Sequence, residues 1–265
     1  MVDIHHHLLP GLDDGAKDLE TSVEMARMAA EDGITHVIAT PHASNRYTFD
    51  PGLVAERLAS LREAVAAQGI PLTIATGCDF HLSYDNIQDA ERHPRKYTLN
   101  STPYLLVELP DHGFPPSLSE TFYELRVAGM VPILTHPERN PTLQSDPNRL
   151  MPWLREGLLI QITTSSVVGE MGTRAKKMAH QLLANRWVHF LATDSHNVKT
   201  RPPRMSEARD VVARKYGQAY AHSLCTANPQ AVFNSNELPE QDPPLHLYEE
   251  DDRMGLPWWK RIFKP

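Results

Sequence analysis

Short apolar runs and longer mixed stretches alternate along the chain in a regular order. The apolar runs fall at 1–5, 35–39, 72–77, 104–109, 131–135, 158–163 and 188–193, each of a length that suits one strand. Between them the apolar positions take helical spacing. Leu19 to Asp32 carries Leu19, Val23, Met25, Ala26, Met28, Ala29 and Ala30, and Gly33 stops it. Leu53 to Ala67 repeats this with Leu53, Val54, Leu58, Leu61 and Val65, closed by Gly69. Further helices are predicted over 117–128, 148–156, 171–185 and 204–216. Strand and helix in alternation predict βαβ units, a parallel sheet and an α/β fold. Seven such strands suggest a TIM-like barrel one unit short of eight, although an open doubly wound sheet satisfies the same alternation.

Two stretches break the rhythm. Residues 81–103 are polar and read as irregular, and 197–203 read as a rigid loop. The alternating pattern ends near residue 236, giving one unit over 1–236 and a tail over 237–265. The tail is Pro- and acid-rich as far as Asp252 and reads as disordered. It ends in an aromatic and basic segment around Trp258-Trp259-Lys260-Arg261. Docking or simple disorder is the plain expectation for that segment; contact with a membrane surface or a kinase is the alternative.

Composition narrows the class. At 41% hydrophobic and 22% charged, the 265 residues suit a soluble globular protein with a large core. A net charge of −7 argues against a nucleic-acid partner, which calls for a basic face. No run approaches the roughly 18 apolar residues of a membrane helix, and the chain opens without a signal-peptide pattern. Two cysteines indicate no disulfide framework. The expected compartment is the cytoplasm, and oligomeric state is not readable.

Fourteen histidines outnumber the seven phenylalanines and the eight tyrosines, and their placement carries the chemistry. Candidate ligands stand at the ends of apolar runs: His5 and His7, His42, Asp79, Glu108, His136, then Asp194 and His196. Residues that leave the carboxyl ends of barrel strands converge on one rim. His5 and His7 are two apart, so they share a strand face while His6 points away. Asp194 and His196 repeat that geometry. Of the pair Asp13-Asp14, one acid suffices, and Asp14 is preferred. So many N and O ligands at one rim favour a multinuclear site for divalent metal. His93, His112, His180, His189, His222 and His246 lack this placement, while His81 and His112 lie near enough to the rim for a substrate role.

Arg139 and Arg201 follow strand ends that bear ligands. Taken alone, each reads as a surface ion pair. Beside a metal rim, their guanidinium forks suit a phosphate and point to phosphoryl transfer. No cysteine-phosphatase loop, Walker A loop, Rossmann fingerprint or Gly-x-Ser-x-Gly elbow is present.

The motifs Asp3-Ile4-His5-x-His7, Asp13-Asp14-Gly15, Thr40-Pro41-His42, His136-Pro137-Glu138-Arg139 and Asp194-Ser195-His196-Asn197 resemble the polymerase and histidinol phosphatase (PHP) superfamily. Their order and the Arg201-Pro202-Pro203 loop are most similar to its bacterial capsular-polysaccharide tyrosine phosphatases. The resemblance covers 1–235 and implies a distorted (β/α)7 barrel, the PHP fold. It implies three divalent ions per chain, manganese first, with Fe, Zn or Co as alternatives. Carried over by position, His5, His7, Asp79 and Asp194 hold one ion; Asp79, Glu108 and His136 a second; Asp14, His42 and His196 a third. Relatives tend to carry Glu where this chain has Asp79, and the shorter arm bears on metal spacing. The implied substrate is the phosphotyrosine tail of a bacterial tyrosine kinase that controls polysaccharide synthesis. Arg139 and Arg201 would hold the phosphate, and His196 or a neighbour would protonate the leaving tyrosyl oxygen. A small-molecule phosphoesterase such as histidinol phosphatase is the nearest alternative, and a non-catalytic kinase-binding protein a more distant one.

Overall fold

Every apolar run becomes a parallel strand, and two of the runs, 35–39 and 72–77, are each followed at once by a second short strand that was not expected. The computed structural model describes residues 1–110, 113 and 117–248. Its strands are β1 (Val2–His6), β2 (His36–Ala39), β3 (His42–Ala43), β4 (Thr73–Thr76), β5 (Asp79–His81), β6 (Tyr104–Glu108), β7 (Val131–Thr135), β8 (Leu159–Thr163) and β9 (Phe190–Ala192). They form two sheets, ordered β1-β2-β4 and β3-β5-β6-β7-β8-β9, with every pair parallel. The result is a mixed α/β fold with parallel sheets rather than one uninterrupted ladder.

The break between the sheets has a local cause. Pro41 has no N–H to give the ladder, and it separates β2 from β3. Opposite it, Gly77 and Cys78 separate β4 from β5. The N–H of Gly77 still donates to the Ala39 carbonyl at 2.8 Å and that of Asp79 to the Pro41 carbonyl at 3.1 Å, so the two sheets run on end to end. Only glycine fits at 77, because a Cβ there would lie 2.6 Å from the Leu99 side chain and 3.0 Å from its Cα. The far strands also meet: the N–H of Asp194 donates to the His5 carbonyl and that of His7 to the Ser195 carbonyl, both at 2.9 Å.

Alternation along the strands sorts the core into two clusters. Val2, Ile4, Ile38, Leu106, Ile133, Phe190 and Ala192 pack together on one face. Val37, Ala39, Leu105, Val107, Leu134, Ile160 and Leu191 pack on the other, against helical residues such as Met25, Leu61, Phe122 and Leu182. Strands buried on both faces explain why the runs read as nearly continuous apolar segments. The helices start on recognisable caps. Asp18 accepts from the Thr21 N–H at the head of α1 (Leu19–Glu31), and Asp50 from those of Gly52 and Leu53 at the head of α2 (Pro51–Ala67).

Residues 81–103, expected to be irregular, contain α3 (Tyr84–Arg92), capped by Ser83. Ala90 is its one buried residue, so it lacks the apolar stripe by which α1 declares itself. The expected helices follow as α4 (Leu118–Val127), α6 (Leu150–Arg155), α8 (Thr173–Ala184) and α9 (Ser206–Tyr216), with short α5 (Pro141–Ser145) and α7 (Thr164–Val168) on the strand-end loops. From Gln218 to Phe233 the chain is helical again, through a π turn at Ser223–Ala227, where no helix was expected.

Disorder was expected from 237 onward. Instead the segment up to Leu247 is docked. The Leu245 N–H donates to the Asn185 carbonyl at 2.8 Å, and Trp187 Nε1 to the Leu245 carbonyl at 3.0 Å. Asn228 and Gln241 pair through their amides at 2.8 and 3.0 Å, and Leu247 is buried. A Pro-rich composition forbids regular structure of its own, but not borrowing partners from the ends of other elements. The aromatic and basic segment beyond it lies outside the described residues, as does His112. Among the described residues no helix is long and apolar enough to cross a membrane.

One cap is supplied from far away. Asp32, at the end of α1, accepts from the N–H groups of Met205 and Ser206 at 2.6 and 2.8 Å and from Ser206 Oγ at 2.5 Å, so it caps α9. Asp32→Ala is expected to cost about 1 kcal/mol, a fall of roughly 3 °C in Tm for a domain of this size. A thermal melt checks this, and an unchanged Tm refutes the cap.

Candidate metal centre

The ligand-bearing strand ends are shaped by three backbone irregularities. In β1 the pairing with β2 shifts between Asp3 and His6, where three residues step against two. Such a bulge re-aims side chains, and here it turns His5 and His7 toward the site while His6 stays fully buried with neither ring nitrogen hydrogen-bonded. His136 and Asp194 leave β7 and β9 with φ of +32° and +50°. Left-handed backbone is costly for residues with a Cβ and tends to persist at functional positions. Glu108 needs no such device, standing two residues beyond Leu106 on the same strand face.

All nine expected ligands are brought together, in four overlapping groups able to hold a cation. These are His5, His7 and Asp194; His5, Asp79 and His136; His42, Asp79 and Glu108; and His7, Asp14, His42 and His196. The partition carried over from the resemblance differs: His7 stands with Asp14 and His196, and His42 reaches Asp79 and Glu108 as well as Asp14. His42 Nδ1 is 3.1 Å from Asp79 and 3.6 Å from Glu108, with Nε2 3.4 Å from Asp14. His5 Nε2 lies 3.4 Å from Asp79 and 3.3 Å from Asp194. His136 Nε2 is 3.5 Å from Glu108.

The donor set fits metal. His5 and His7 turn their Nε2 atoms toward each other at 3.3 Å. Both carboxylate oxygens of Asp79 are buried without a hydrogen bond, an arrangement that is costly unless a cation satisfies it. The far side of each ring is already committed. His5 Nδ1 meets Gln161 Oε1 at 3.0 Å, His7 Nδ1 meets Asp13 Oδ2 at 2.7 Å, and His196 Nδ1 meets the Asp194 carbonyl at 2.9 Å. An acceptor behind Nδ1 fixes the tautomer and leaves Nε2 as the ligating lone pair. Asp13 also accepts from the N–H groups of Gly15 and His42 at 2.9 and 3.0 Å, so Asp14 is the acid of the pair that faces the cluster.

Electrostatics reflect crowding of acids. Burial would depress His42, but Asp14 and Asp79 lift it to about 11. Burial would depress His7 too, and Asp13 lifts it to about 9. Burial and the neighbouring Asp79 push Glu108 up to about 8. Against the pull of burial, His5 and His42 hold Asp79 well below the usual carboxylate range. For Asp194 the same burial is outweighed by His5, His7, Arg201 and Arg139. The acids thus raise His5, His7 and His42, while burial outweighs them at His136 and His196, which are lowered.

Arg139 and Arg201 both pair with Asp194 Oδ2. They are therefore neither solitary surface cations nor separate ion pairs, but two forks on one ligand at the lip of the site. Arg139 and His136 also line a cleft with Glu108, Asn140 and Pro141.

A family model described as capsular polysaccharide synthesis, CpsB/CapC, matches residues 1–234. The chain belongs to the CpsB/CapC family. It is 35% identical over 244 residues to the tyrosine-protein phosphatase YwqE of Bacillus subtilis, covering 92% of this chain and 95% of that one. With the tyrosine-protein phosphatase CpsB of Streptococcus pneumoniae it shares 29% over 239 residues, 88% and 98% of the two chains. Among solved structures, one described as from YwqE and CpsB, metal-dependent tyrosine phosphatases, superposes with a TM-score of 0.86 at 34% identity, over 92% of this chain and 98% of that one.

In this CpsB/CapC chain, sequence reasoning missed Gln161 and Glu138. Gln161 is fully buried, and its signal was available: an amide in the middle of the apolar run Leu159–Thr163. Glu138 is fully buried and accepts from the Thr163 N–H at 2.9 Å, tying the turn that carries His136 and Arg139 to the end of β8. The histidines set aside as background, His93, His180, His189, His222 and His246, belong to none of the four groups. His189 Nδ1 instead accepts from the Ile160 N–H at 3.1 Å, and His180 meets the Tyr216 hydroxyl at 2.8 Å.

Gln161→Leu keeps the volume and removes the acceptor behind His5. Metal affinity is expected to fall about 10- to 100-fold, measured by competition with a chromogenic chelator. Wild-type affinity in that variant would show that Gln161 does not orient the ligand.

Proposed function

We propose that this chain is a metal-dependent tyrosine-protein phosphatase whose metal centre is the nine-residue cluster His5, His7, Asp14, His42, Asp79, Glu108, His136, Asp194 and His196. The observation that carries the reading is the convergence of these side chains on one site with two arginines at its lip, in a family whose curated relatives are tyrosine-protein phosphatases. The catalytic unit spans 1–236. The strands around it form a distorted (β/α)7 barrel of the PHP type, a reading supported by the hydrogen bonds that tie β1 to the end of β9. Three divalent ions, manganese first with Fe, Zn or Co as alternatives, suit the mixture of imidazole and carboxylate donors.

When bound, the ions supply Lewis-acid polarisation of the phosphoryl group and make water acidic enough to attack near neutral pH. The chain's own residues do the rest. Asp79 belongs to two of the groups and would be shared between the ions they hold. Arg139 and Arg201 recognise the phosphate: a dianion entering at the lip competes with Asp194 for both forks, and bidentate contact orients it. The same forks offset charge on the equatorial oxygens in the in-line transition state. His196 has Nδ1 on a carbonyl and Nε2 3.5 Å from Asp14. With both nitrogens engaged, it serves as a ligand, and the tyrosyl oxygen departs as phenolate, a fair leaving group by itself. No phosphoenzyme forms on the protein. The substrate is the phosphotyrosine tail of a bacterial tyrosine kinase, met in the cytoplasm.

The first measurement is hydrolysis of a phosphotyrosyl peptide before and after chelation. Activity is expected to fall to background on stripping and to return with manganese, without a burst phase. No hydrolysis in any metal state would sink the reading, and faster turnover of histidinol phosphate would redirect it to a small phosphoester.

Arg139→Ala and Arg201→Ala are each expected to lower kcat/KM about 10²- to 10³-fold, as loss of a donor to developing charge does. The metal content of both variants, read by elemental analysis, should stay at the wild-type level. Loss of metal in parallel with activity would mean the arginines act only by holding Asp194.

A further inference from the structure

A second groove adjoins the cleft that holds Glu108, His136 and Arg139. Pro141 lines that cleft and also lines a larger groove, about 510 Å³, between α5 and α8. Gln144 lines that groove on the α5 side, and Arg174, Lys177 and Gln181 line it on the α8 side. Arg174 and Lys177 are three apart and Gln181 four further on, so the three share one helix face. Both cations are exposed, and no acid stands in the first turn of α8. Neighbouring Lys176 is used internally, its Nζ donating to the Val168 carbonyl at 2.9 Å. Neither Arg174 nor Lys177 has such a partner among the described residues. On a chain with net charge −7, two unpaired cations in a groove that adjoins the reaction cleft at Pro141 form a local site of the opposite sign.

The geometry points to this groove as the binding site for the polypeptide that flanks the phosphotyrosine, with Arg174 and Lys177 selecting acidic side chains in it. The inference rests on the phosphatase reading above. Adjacency at Pro141 supplies the path: a chain whose phosphate lies at Arg139 would pass over α5 to meet α8. Charge supplies the selectivity, since like charge opposed and opposite charge matched govern partner choice more than total affinity. Pro141, Pro147 and Met178 supply apolar wall between the polar groups, so the groove offers packing as well as charge.

The test uses the 265-residue chain loaded with manganese and two peptides carrying the non-hydrolysable phosphonodifluoromethyl analogue of phosphotyrosine. One is flanked on both sides by Asp and Glu, the other by Ser and Gly. By fluorescence anisotropy the acidic peptide is expected to bind about tenfold tighter at low salt, with the gap closing as ionic strength rises. In Arg174→Glu/Lys177→Glu the gap is expected to vanish or invert, while affinity for the neutral peptide and turnover of p-nitrophenyl phosphate stay at wild-type levels. Negative charge near the start of α8 complements the helix dipole, so the variant should fold, and a thermal melt verifies that. Equal affinities in the wild type, or a gap that survives in the double variant, overturn the inference. If neither peptide binds and no phosphotyrosyl peptide is hydrolysed, the phosphatase reading has failed and the groove's role falls with it.

Discussion

Five carboxylates, those of Asp13, Asp14, Asp79, Glu108 and Asp194, are gathered at one end of the parallel strands, with two guanidinium groups paired to them among the described residues. Like charges at this spacing cannot all stay ionised in a poorly solvated place unless cations are supplied. Much else in the structure answers that constraint. Imidazoles turn ring nitrogens inward, the proton affinities of Glu108, His5, His7 and His42 are raised, and Asp194 takes both arginines. Asp79 is the extreme case: fully buried, held ionised by His5 and His42, and with neither oxygen in a well-aligned hydrogen bond. A hydrogen-bonded core would not be built this way, whereas a metal site would.

The scaffold meets this demand with irregular backbone where regular strands would aim side chains wrongly. The bulge in β1 re-aims His5 and His7, and the left-handed residues His136 and Asp194 turn their ends inward. Pro41 and Gly77 interrupt two neighbouring strands at matching heights, so His42 and Asp79 pair across a fresh start of the ladder. These features carry a local cost that the two-cluster core offsets by burying nearly every strand residue on both faces. Behind the ligands, Gln161, Asp13 and the Asp194 carbonyl fix the rings, so the site is held from two layers at once. Family membership fits this picture, because a phosphate ester offers oxygens both to metals and to guanidinium forks.

Specificity rests on the same division of labour. The metal end of the cleft handles the phosphate, which every substrate of the class shares. The groove across α5 and α8 handles what differs between substrates, with cations that have no structural task of their own. Separating the two lets the flanking recognition vary without disturbing the strained ligand loops.

Local pattern determined much of this protein. Apolar runs ending in His, Asp or Glu marked the strands and, with them, the side chains that gather into groups able to hold a cation, because a strand end is set by neighbours in sequence. The stripes of α1 and α2 were legible for the same reason: burial on one face writes itself into spacing. Helix α3, with one buried residue, wrote nothing, and the docking of 237–247 depends on distant partners such as Asn185 and Trp187. Tertiary structure alone decided how the ligands divide into groups, which acid of Asp13-Asp14 faces the cluster, and that Arg139 and Arg201 meet on one carboxylate. Sequence spacing reports what lies within a turn or a strand. A β1 bulge, a φ of +50° at Asp194 and the register between strands decide which side chains lie within a bond length or two of each other, and those emerge only when the strands are assembled.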